Sequence, residues 1–470
     1  MITPHYQDDS VTLHHGDCLD VLRADDYGYD WNLGYREPRL FADNSVDAVV
    51  CDPPYGISFM GRQWDQPGKF GSERGDGRPR GGHPNSRGTH DAMAAGSYDL
   101  SPAAMLNFQQ WCTAWASECL RVLKPGGHMV AFGGPRTWHR LAAAIEDAGF
   151  EIRDSIAWLY GSGFPKSMDV SKAITSTELG YGGNSVAQRK ATMGDNYVQS
   201  GRQGNRDGAG RRDTGLAEHT LELTESAQAW QGWGTALKPS FEPIVVARKP
   251  LAGTVAANVL EHGTGALNID ACRVASGQDY RDKCASVVGL DSNRNGAAYG
   301  EWTGERTDSA HVAGRWPTNV VLDEHQAAQL DQQSGTSTSR VGKPRGAASG
   351  AGWGMTATGA EYADEGGASR FFPVFRYEAK APTSERPNVD GVQHPTVKPL
   401  DLMRWLVRLV TPVGAVVLEP FAGSGTTAEA CILEDRRCIA IEREAEYLPL
   451  IMSRLQKPMQ QGLFGLEAGA

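Results

Sequence analysis

Strand and helix patterns alternate at both ends of this chain, and this alternation restricts the fold more than any other feature. Near the N-terminus, Val46–Cys51 is a β-branched apolar run that predicts a buried strand. Residues 103–123 carry apolar side chains at intervals of three and four, which predicts a helix. A strand over residues 128–132, a helix over 137–148 and a strand over 152–160 are predicted to follow. Such alternation is typical of a mostly parallel sheet covered by helices on both faces.

The C-terminal end repeats the alternation. Helices are predicted over Leu400–Val410, Thr426–Leu433 and residues 444–455, with strands over 415–418 and 438–441 between them. Because both ends have the character of one α/β domain, we expect them to pair and complete a single sheet.

The middle of the chain has a different composition. Fifty-six of the 470 residues are glycine, well above the usual ~7%, and this excess predicts long irregular segments. Three glycine-rich stretches without apolar periodicity lie at residues 61–96, 180–215 and 342–367. Short ordered pieces are predicted at 242–247 and 318–322. We therefore expect residues 164–378 to form a large insertion into one α/β domain.

The charge distribution excludes some classes of protein. A net charge of −10 excludes a wholly basic nucleic-acid coat. Residues 188–212 nevertheless carry six Lys or Arg against two Asp. Such a segment is either a solvated loop or a contact for nucleic-acid phosphates, and composition alone does not choose between them.

Hydropathy and cysteine spacing predict the compartment. No run approaches the ~18 apolar residues of a membrane span, and the first residues lack the basic and apolar regions of a signal peptide. We expect a cytoplasmic protein without membrane contact. The eight cysteines include no Cys-x-x-Cys pair, which favours reduced, buried thiols over disulfides or a zinc site. We expect no bound metal.

The tetrapeptide Asp52-Pro53-Pro54-Tyr55 directly follows the predicted strand Val46–Cys51. Prolines lack N–H groups, so this turn presents carbonyl oxygens without competing donors. The Asp52 carboxylate, the Pro53 carbonyl and the flat Tyr55 ring suit a planar base that carries an NH₂ group. Accepting both amino hydrogens favours a pyramidal nitrogen whose lone pair can attack an electrophile. A Pro-Pro turn with an incidental Asp is the alternative.

A glycine-rich loop, Glu-Pro-Phe-Ala-Gly-Ser-Gly at residues 419–425, separates a predicted strand from a predicted helix. Gly423 and Gly425 let the backbone approach a ligand at a helix N-terminus. The loop lacks the Lys of a phosphate loop. The strand at 438–441 ends at Glu442, where a carboxylate can bind ribose hydroxyls. An NAD site fits this pattern too, and Glu442 also suits a cap of the helix that follows.

Taken together, an Asp-Pro-Pro-Tyr motif and a later Phe-x-Gly-x-Gly loop resemble the amino-methylating DNA methyltransferases, which transfer methyl from S-adenosylmethionine to adenine N6 or cytosine N4. The order of the two motifs is similar to that of the beta group of this family. Over about residues 10–170 and 390–456, the resemblance implies an α/β fold: a circularly permuted Rossmann-like sheet of the S-adenosylmethionine-dependent methyltransferase type, with a large, partly irregular target-recognition insertion. The implied domains are a first catalytic part (1–163), a target-recognition region (164–390), a second catalytic part (391–458) and a tail (459–470).

The resemblance also implies roles for individual residues. Asp17 and Cys18 lie in a segment that resembles the family's opening segment, whose acid holds the cofactor's adenine. His394-Pro-Thr-Val-Lys-Pro399 resembles the segment that closes over the methionine moiety. The implied catalytic residues are Asp52, Pro53, Pro54 and Tyr55. The implied cofactor-binding residues are Asp17, Cys18, His394, Thr396, Lys398, Glu419, Phe421, Gly423, Ser424, Gly425, Thr426 and Glu442.

Simpler roles are open for several of these residues. Asp17 suits a turn residue, His394 a residue that rigidifies its turn, and Lys398 a surface charge. Glu419 stands where the family usually has Asp, so the reach of this acid differs from the family pattern.

The implied substrate is double-stranded DNA with a flipped-out target base. A cognate restriction enzyme is a second implied partner, whereas the sequence leaves the oligomeric state open. Direct transfer needs neither a metal nor a covalent intermediate. The residues expected to contact DNA are Lys166, Arg202, Arg206, Arg211 and Arg212.

Three other functions are open. Cytosine N4 is an alternative target, although cytosine-N4 members more often carry Ser before Pro-Pro, so Asp52 favours adenine. Methylation of an amide or an RNA amine is a second alternative, and a catalytically silent DNA-binding protein is a third.

Overall fold

The computed structural model describes residues 3–24, 40–57, 65, 100–161, 167–179, 223–274, 314–338, 365–375 and 386–456. The helices of this part of the chain are α1 (Cys18–Arg23), α2 (Pro102–Val122), α3 (Trp138–Asp147), α4 (Val170–Glu178), α5 (Glu225–Gln228), α6 (Val255–His262), α7 (Glu324–Ser334), α8 (Leu400–Val410), α9 (Thr426–Leu433) and α10 (Leu448–Leu455). The strands are β1 (Tyr6–Gln7), β2 (Val11–His15), β3 (Val46–Cys51), β4 (Leu123–Phe132), β5 (Glu151–Leu159), β6 (Phe241–Arg248), β7 (Val320–Asp323), β8 (Ser337–Thr338), β9 (Glu365–Gly366), β10 (Val374–Phe375), β11 (Asn388–Val389), β12 (Val392–Gln393), β13 (Val416–Glu419) and β14 (Arg437–Glu442).

Among these residues, ten strands form one sheet in the order β1-β2-β14-β13-β3-β4-β6-β5-β7-β10. The run from β2 to β4 is parallel, and β5, β7 and β10 are parallel to one another. Strand β6 lies antiparallel between β4 and β5. The first residues of β6 therefore lie at the same edge of the sheet as the last residues of β3, β4, β13 and β14.

The two ends of the chain complete one another, as expected. Strands β13 and β14 come last in the sequence but lie between β2 and β3 in the sheet. Glu442 is opposite His15, and Val417 is opposite Ala48. This strand order confirms the predicted α/β class with a circularly permuted, mostly parallel sheet of the methyltransferase type.

The sheet is covered on both faces because successive side chains of a strand point to opposite sides. In β3, Ala48 and Val50 pack in a core that includes helix α8, whereas Val49 and Cys51 pack in a second core that includes α2 and α3. All six residues of β3 are buried. A continuous apolar run is typical of a strand with helices on both faces.

The predicted extent of the insertion needs correction. Strands β6, β7 and β10 fall within residues 164–390, yet they belong to the main sheet. The physical reason is that β6 is a buried central strand, which pairs with β4 on one side and with β5 on the other. Four consecutive residues of this strand are at most 3% exposed: Ile244, Val245, Val246 and Ala247. The target-recognition role of the region stays a prediction.

One predicted helix is also shorter than expected. Residues 444–455 were predicted as a single helix, but Ala445–Tyr447 forms a 3₁₀ turn and the α-helix covers Leu448–Leu455. Pro449 lies at the start of this helix, where its missing N–H costs no hydrogen bond.

The chain divides into two compact units. One contains Met1–Gly81, Asp99–Ser162 and Ser240–Ala470, and includes the main sheet; the other contains Gly82–Tyr98 and Gly163–Pro239. In the second unit, α4 contacts α5 through the Ser226 hydroxyl, which donates a hydrogen bond to Glu178.

Seven of the eight cysteines lie in the described part of the chain, and these seven are buried and free. This confirms the expected reduced, buried thiols at those positions. Within the same described residues, no helix has the length and hydropathy that crossing a membrane would require.

Candidate active site

Acidic residues gather at the edge of the sheet where the parallel strands end. Asp52 follows β3, Glu419 ends β13 and Glu442 ends β14. Glu242 joins them because β6 runs antiparallel and starts at this edge. In open α/β sheets, ligands bind at the carboxyl ends of the strands, so this edge is the candidate site.

The Asp52 turn is held in place by its own neighbours. The Tyr55 hydroxyl donates to Asp52 Oδ1 at 3.0 Å, and the Thr137 hydroxyl donates to the Tyr55 carbonyl at 2.7 Å. The Gly56 N–H donates to Asp65 Oδ1 at 2.6 Å. Gly56 has a φ of 69°, and a Cβ at this position would lie 2.6 Å from the Phe108 ring. The turn therefore requires glycine directly after Tyr55.

Lys398 is buried within the Asp52 turn. Its ammonium lies 2.8 Å from Asp52 Oδ2, 3.0 Å from the Tyr55 hydroxyl and 3.3 Å from Glu242 Oε2. It also lies 4.8 Å from the centroid of the Phe132 ring, a cation–π distance. The side chain is 9% exposed, so the surface-charge interpretation of Lys398 is wrong.

The pKa values of Lys398, Glu242 and Tyr55 depend on burial and on the charges that these side chains face. Burial by itself lowers the pKa of Lys398, but the carboxylates of Asp52 and Glu242 raise it above its ordinary value, so the side chain is an ammonium. Burial raises the pKa of Glu242, and Lys398 opposes that rise. Burial and the neighbouring Asp52 charge raise the pKa of Tyr55 well above its ordinary value, so its hydroxyl keeps its proton.

The glycine loop meets the acid predicted to act with it. The Gly423 N–H donates to Glu442 Oε2 at 2.6 Å, and the Glu444 N–H donates to Oε1 at 2.8 Å. The second bond is the capping contact that was the alternative role of Glu442. Burial raises the pKa of Glu442 to about 7. A buried acceptor therefore lies directly beneath the loop.

The histidine segment lies against this loop. Gly423 has a φ of 54°, and a Cβ there would lie 3.1 Å from His394 Nε2. The His394 ring packs edge-on against Tyr447, with centroids 4.6 Å apart. His394 Nδ1 is 2.6 Å from the Thr396 carbonyl oxygen, so His394 also stabilises its own turn.

Glu419 and its neighbours fasten the loop internally. The Thr427 hydroxyl donates to Glu419 Oε2 at 2.6 Å, and the Phe421 N–H donates to Oε1 at 3.0 Å. Burial raises the pKa of Glu419 well above its ordinary value. The Phe421 ring packs edge-on against Trp115, 5.2 Å between centroids. In this structure Glu419 serves the shape of the loop, and its predicted cofactor contact stays a prediction.

The remaining predicted cofactor residues divide between the loop and helix α1. The Ser424 and Thr426 hydroxyls are 3.1 Å apart, and both residues are buried at the start of α9 with Gly425. Asp17 caps α1, accepting the Leu19 N–H at 3.0 Å, and Cys18 is buried beneath it. The capping contact is the simpler role considered for Asp17.

The predicted DNA contacts stay a prediction. Lys166, Arg202, Arg206, Arg211 and Arg212 lie outside the described residues. Glu242, in contrast, was not predicted as a site residue. The sequence signal that could have found it is a carboxylate at the head of an apolar strand, but the strand direction that brings it to this edge is not readable from the sequence.

This geometry is that of an α/β methyltransferase in which the Asp-Pro-Pro-Tyr turn precedes the glycine loop along the chain. A family model described as DNA methylase, covering the N6 and N4 enzymes, matches residues 46–453. The chain belongs to this N6/N4 DNA methylase family. The family uses S-adenosylmethionine, which is the cofactor expected from the sequence.

Several characterised proteins are similar to this chain. The type II methyltransferase M.HindIII of Haemophilus influenzae is 23% identical over 236 residues, which are 49% of this chain and 62% of that protein. The DNA adenine methyltransferase YhdJ of Escherichia coli is 40% identical over 62 residues, 13% of this chain and 21% of that protein. These matches cover less than two thirds of each relative. The solved PvuII DNA methyltransferase, cytosine-N4-specific, is 13% identical with a TM-score of 0.39, covering 98% of this chain and 92% of that one.

Proposed function

We propose that this protein is a DNA methyltransferase that transfers the methyl group of S-adenosylmethionine to adenine N6 in duplex DNA. The observation that carries the proposal is the Asp52 turn, with its carboxylate and Tyr55 ring held at the same sheet edge as the glycine loop. The family match supports methylation of DNA. Asp52 before the two prolines and the adenine-methylating relative YhdJ favour adenine over cytosine.

The residues around the glycine loop fit S-adenosylmethionine. A Cβ at Gly423 would meet His394, so the loop backbone is open to close approach. The Glu442 carboxylate beneath the loop suits the hydroxyls of a ribose. We expect Glu442, the loop residues and the segment from His394 to Lys398 to hold the cofactor, which when bound supplies an electrophilic methyl group on a sulfonium.

The chain's own residues orient and activate the base. Asp52 accepts one amino hydrogen and the Pro53 carbonyl accepts the other, so the nitrogen lone pair is directed at the methyl group. Tyr55 offers its ring for stacking while its hydroxyl fixes the Asp52 carboxylate. The catalytic contribution is therefore orientation together with amino activation.

DNA recognition and a protein partner complete the proposal. The parts of residues 164–390 outside β6, β7 and β10 recognise the target sequence, with Lys166 and the arginines at 202, 206, 211 and 212 contacting phosphates. A restriction enzyme is proposed as a partner because M.HindIII is named a type II methyltransferase. A DNA substrate also supports the proposed cytoplasmic location.

Sequencing that detects modified bases tests the proposal. The full chain is expressed in a host that lacks DNA methylation, and genomic DNA is compared with that of cells expressing the Asp52→Ala variant. We expect N6-methyladenine at one recognition sequence with the parent and none with the variant. N4-methylcytosine would refute the adenine assignment, and unmodified DNA in cells that contain folded parent protein would refute DNA methylation.

A further inference from the structure

Glu242 is an acid at the site to which the sequence motifs assign no role. It is the second residue of β6, opposite Trp158 of β5, and its side chain is 18% exposed. Its Oε2 lies 3.3 Å from the Lys398 ammonium, which in turn lies 2.8 Å from Asp52 Oδ2. Lys398 thus bridges two carboxylates that come from β3 and β6.

Three oxygens surround the Lys398 ammonium, and Glu242 Oε2 meets it as an ion pair without hydrogen-bond geometry. An ammonium carries three N–H donors, and Asp52, Glu242 and Tyr55 each place an oxygen within 3.3 Å of Lys398 Nζ. Phe132 closes one side with its ring. Because the Lys398 side chain is buried, the ammonium depends on these oxygens for its position.

Both oxygens of Asp52 already have a partner. Oδ1 accepts the Tyr55 hydroxyl, and Oδ2 faces Lys398. A base amino group that binds Asp52 must therefore share or take the place of the ammonium. A buried ammonium that loses one carboxylate is strongly disfavoured unless a second carboxylate stays paired with it. Glu242 is the second carboxylate within reach.

We propose that Glu242 is a positioning residue for methyl transfer: it anchors Lys398, so that Asp52 can accept the amino group of the target base while the ammonium stays paired. This inference rests on the proposed role of Asp52. The new carbon–nitrogen bond forms as the carbon–sulfur bond breaks and a neutral thioether leaves. Positive charge develops on the amino nitrogen until it releases one proton towards Asp52, whose carboxylate stabilises that charge.

Two substitutions and a matched control test the role of Glu242. Glu242→Gln keeps the shape and removes the charge, while Glu242→Asp keeps the charge on a shorter side chain. Glu151→Gln is the control, because Glu151 pairs with Arg248 at 2.7 Å across the same two strands, β5 and β6, at their other end. Single-turnover methyl transfer to duplex DNA is measured, together with cofactor affinity, DNA affinity and thermal unfolding.

We expect Glu242→Gln to slow methyl transfer by about tenfold to a hundredfold. Affinities for cofactor and DNA should remain within about twofold of the parent, and Glu242→Asp should recover part of the rate. Glu151→Gln should transfer methyl at the parent rate. A Glu242→Gln variant with the parent rate would overturn the inference. A variant that loses affinity and stability along with rate would assign Glu242 a purely structural role and overturn it equally.

A double-mutant cycle tests whether Glu242 acts through Lys398, and Glu242→Asp takes the place of Glu242→Gln in this cycle if the amide variant folds poorly. Glu242→Gln is combined with Lys398→Met, which removes the ammonium that Glu242 anchors. If Glu242 acts through Lys398, the second substitution adds little to the loss of rate caused by Lys398→Met. Independent, multiplying losses would refute a role through Lys398.

The parent protein separates this inference from the proposed function. A parent that methylates cytosine would refute the adenine assignment, while the comparison of Glu242 variants would still decide the inference. A parent that methylates no DNA would refute the proposed function and the inference with it.

Discussion

Replacing Asp52 by alanine removes the one carboxylate that the proposed mechanism uses as an acceptor. We expect the rate of methyl transfer to fall by about 10²–10⁴, the usual loss for a positioned acid–base group. That range corresponds to roughly 3–5 kcal/mol of transition-state stabilisation. Binding of S-adenosylmethionine should stay close to that of the parent, because Glu442 and the glycine loop hold their contacts without Asp52.

The structure also bounds the effect on stability. Asp52→Ala takes one of two carboxylates from Lys398, but Glu242 at 3.3 Å and the Tyr55 hydroxyl at 3.0 Å remain. The cost should therefore lie below the ~3–5 kcal/mol that an uncompensated buried charge brings. The variant should remain folded under the conditions of the assay.

Transfer of a radiolabelled methyl group to duplex DNA measures the rate, and calorimetry measures cofactor affinity. Asp401→Ala is a suitable control, since Asp401 is 54% exposed on helix α8 and pairs loosely with Arg404 at 3.8 Å. A purified Asp52→Ala protein with near-normal turnover would refute the assignment of Asp52. Equal loss of turnover and cofactor affinity would point to damage of the whole sheet edge instead.

Three further predictions address cofactor binding, DNA binding and the core. Glu442→Ala should weaken S-adenosylmethionine binding by about tenfold to a hundredfold with DNA affinity unchanged. Burial raises the pKa of Glu442 to about 7, so the carboxylate that accepts the hydroxyls forms as the pH rises. The affinity of the parent protein for S-adenosylmethionine should therefore increase up to about tenfold from pH 6 to pH 8. Calorimetry with Glu442→Gln should show no such increase. Neutralising four arginines together should weaken binding to every duplex and lower the salt slope by about 0.9 for each phosphate that the variant no longer neutralises; overlapping salt titrations would mark the segment as a solvated loop. These arginines are Arg202, Arg206, Arg211 and Arg212. Trp115→Ala, at a fully buried position, should cost about 3–5 kcal/mol in denaturant unfolding, and a cost below about 1 kcal/mol would contradict its place in the core.

The parts of the fold that the sequence predicts well are those with a strong local signal. The apolar spacing of residues 103–123 and the β-branched run Val46–Cys51 correspond to α2 and β3 almost residue for residue. Strand β6 also has an apolar signal, but its pairing with β4 and β5 was not predictable. Pairing between strands depends on contacts far apart in the chain, and strand direction leaves no mark on side-chain periodicity.

In the candidate site, too, local motifs were predictable from the sequence and tertiary contacts were not. Motifs identify Asp52 and the glycine loop because each lies at the end of a strand whose direction follows from the alternating pattern. The sequence predicts Lys398 either near the cofactor or at the surface. The structure excludes the surface and adds contacts with Asp52 and Glu242 that the sequence did not indicate. A contact between residues from β3, β6 and the segment before α8 depends on tertiary packing, which sequence spacing does not encode.

The late position of β13 and β14 has a consequence for synthesis of the chain. The Val416 N–H donates to Asp47 Oδ2 at 2.7 Å, across 369 positions of sequence. Strands β2 and β3 leave the ribosome early, yet the strands that lie between them emerge last. Until then, the edges of β2 and β3 that later face β14 and β13 have no partner, and unpaired strand edges favour aggregation. Folding of this protein should therefore be slow, governed by long-range pairing, and dependent on chaperones that cover those edges until β13 and β14 have emerged.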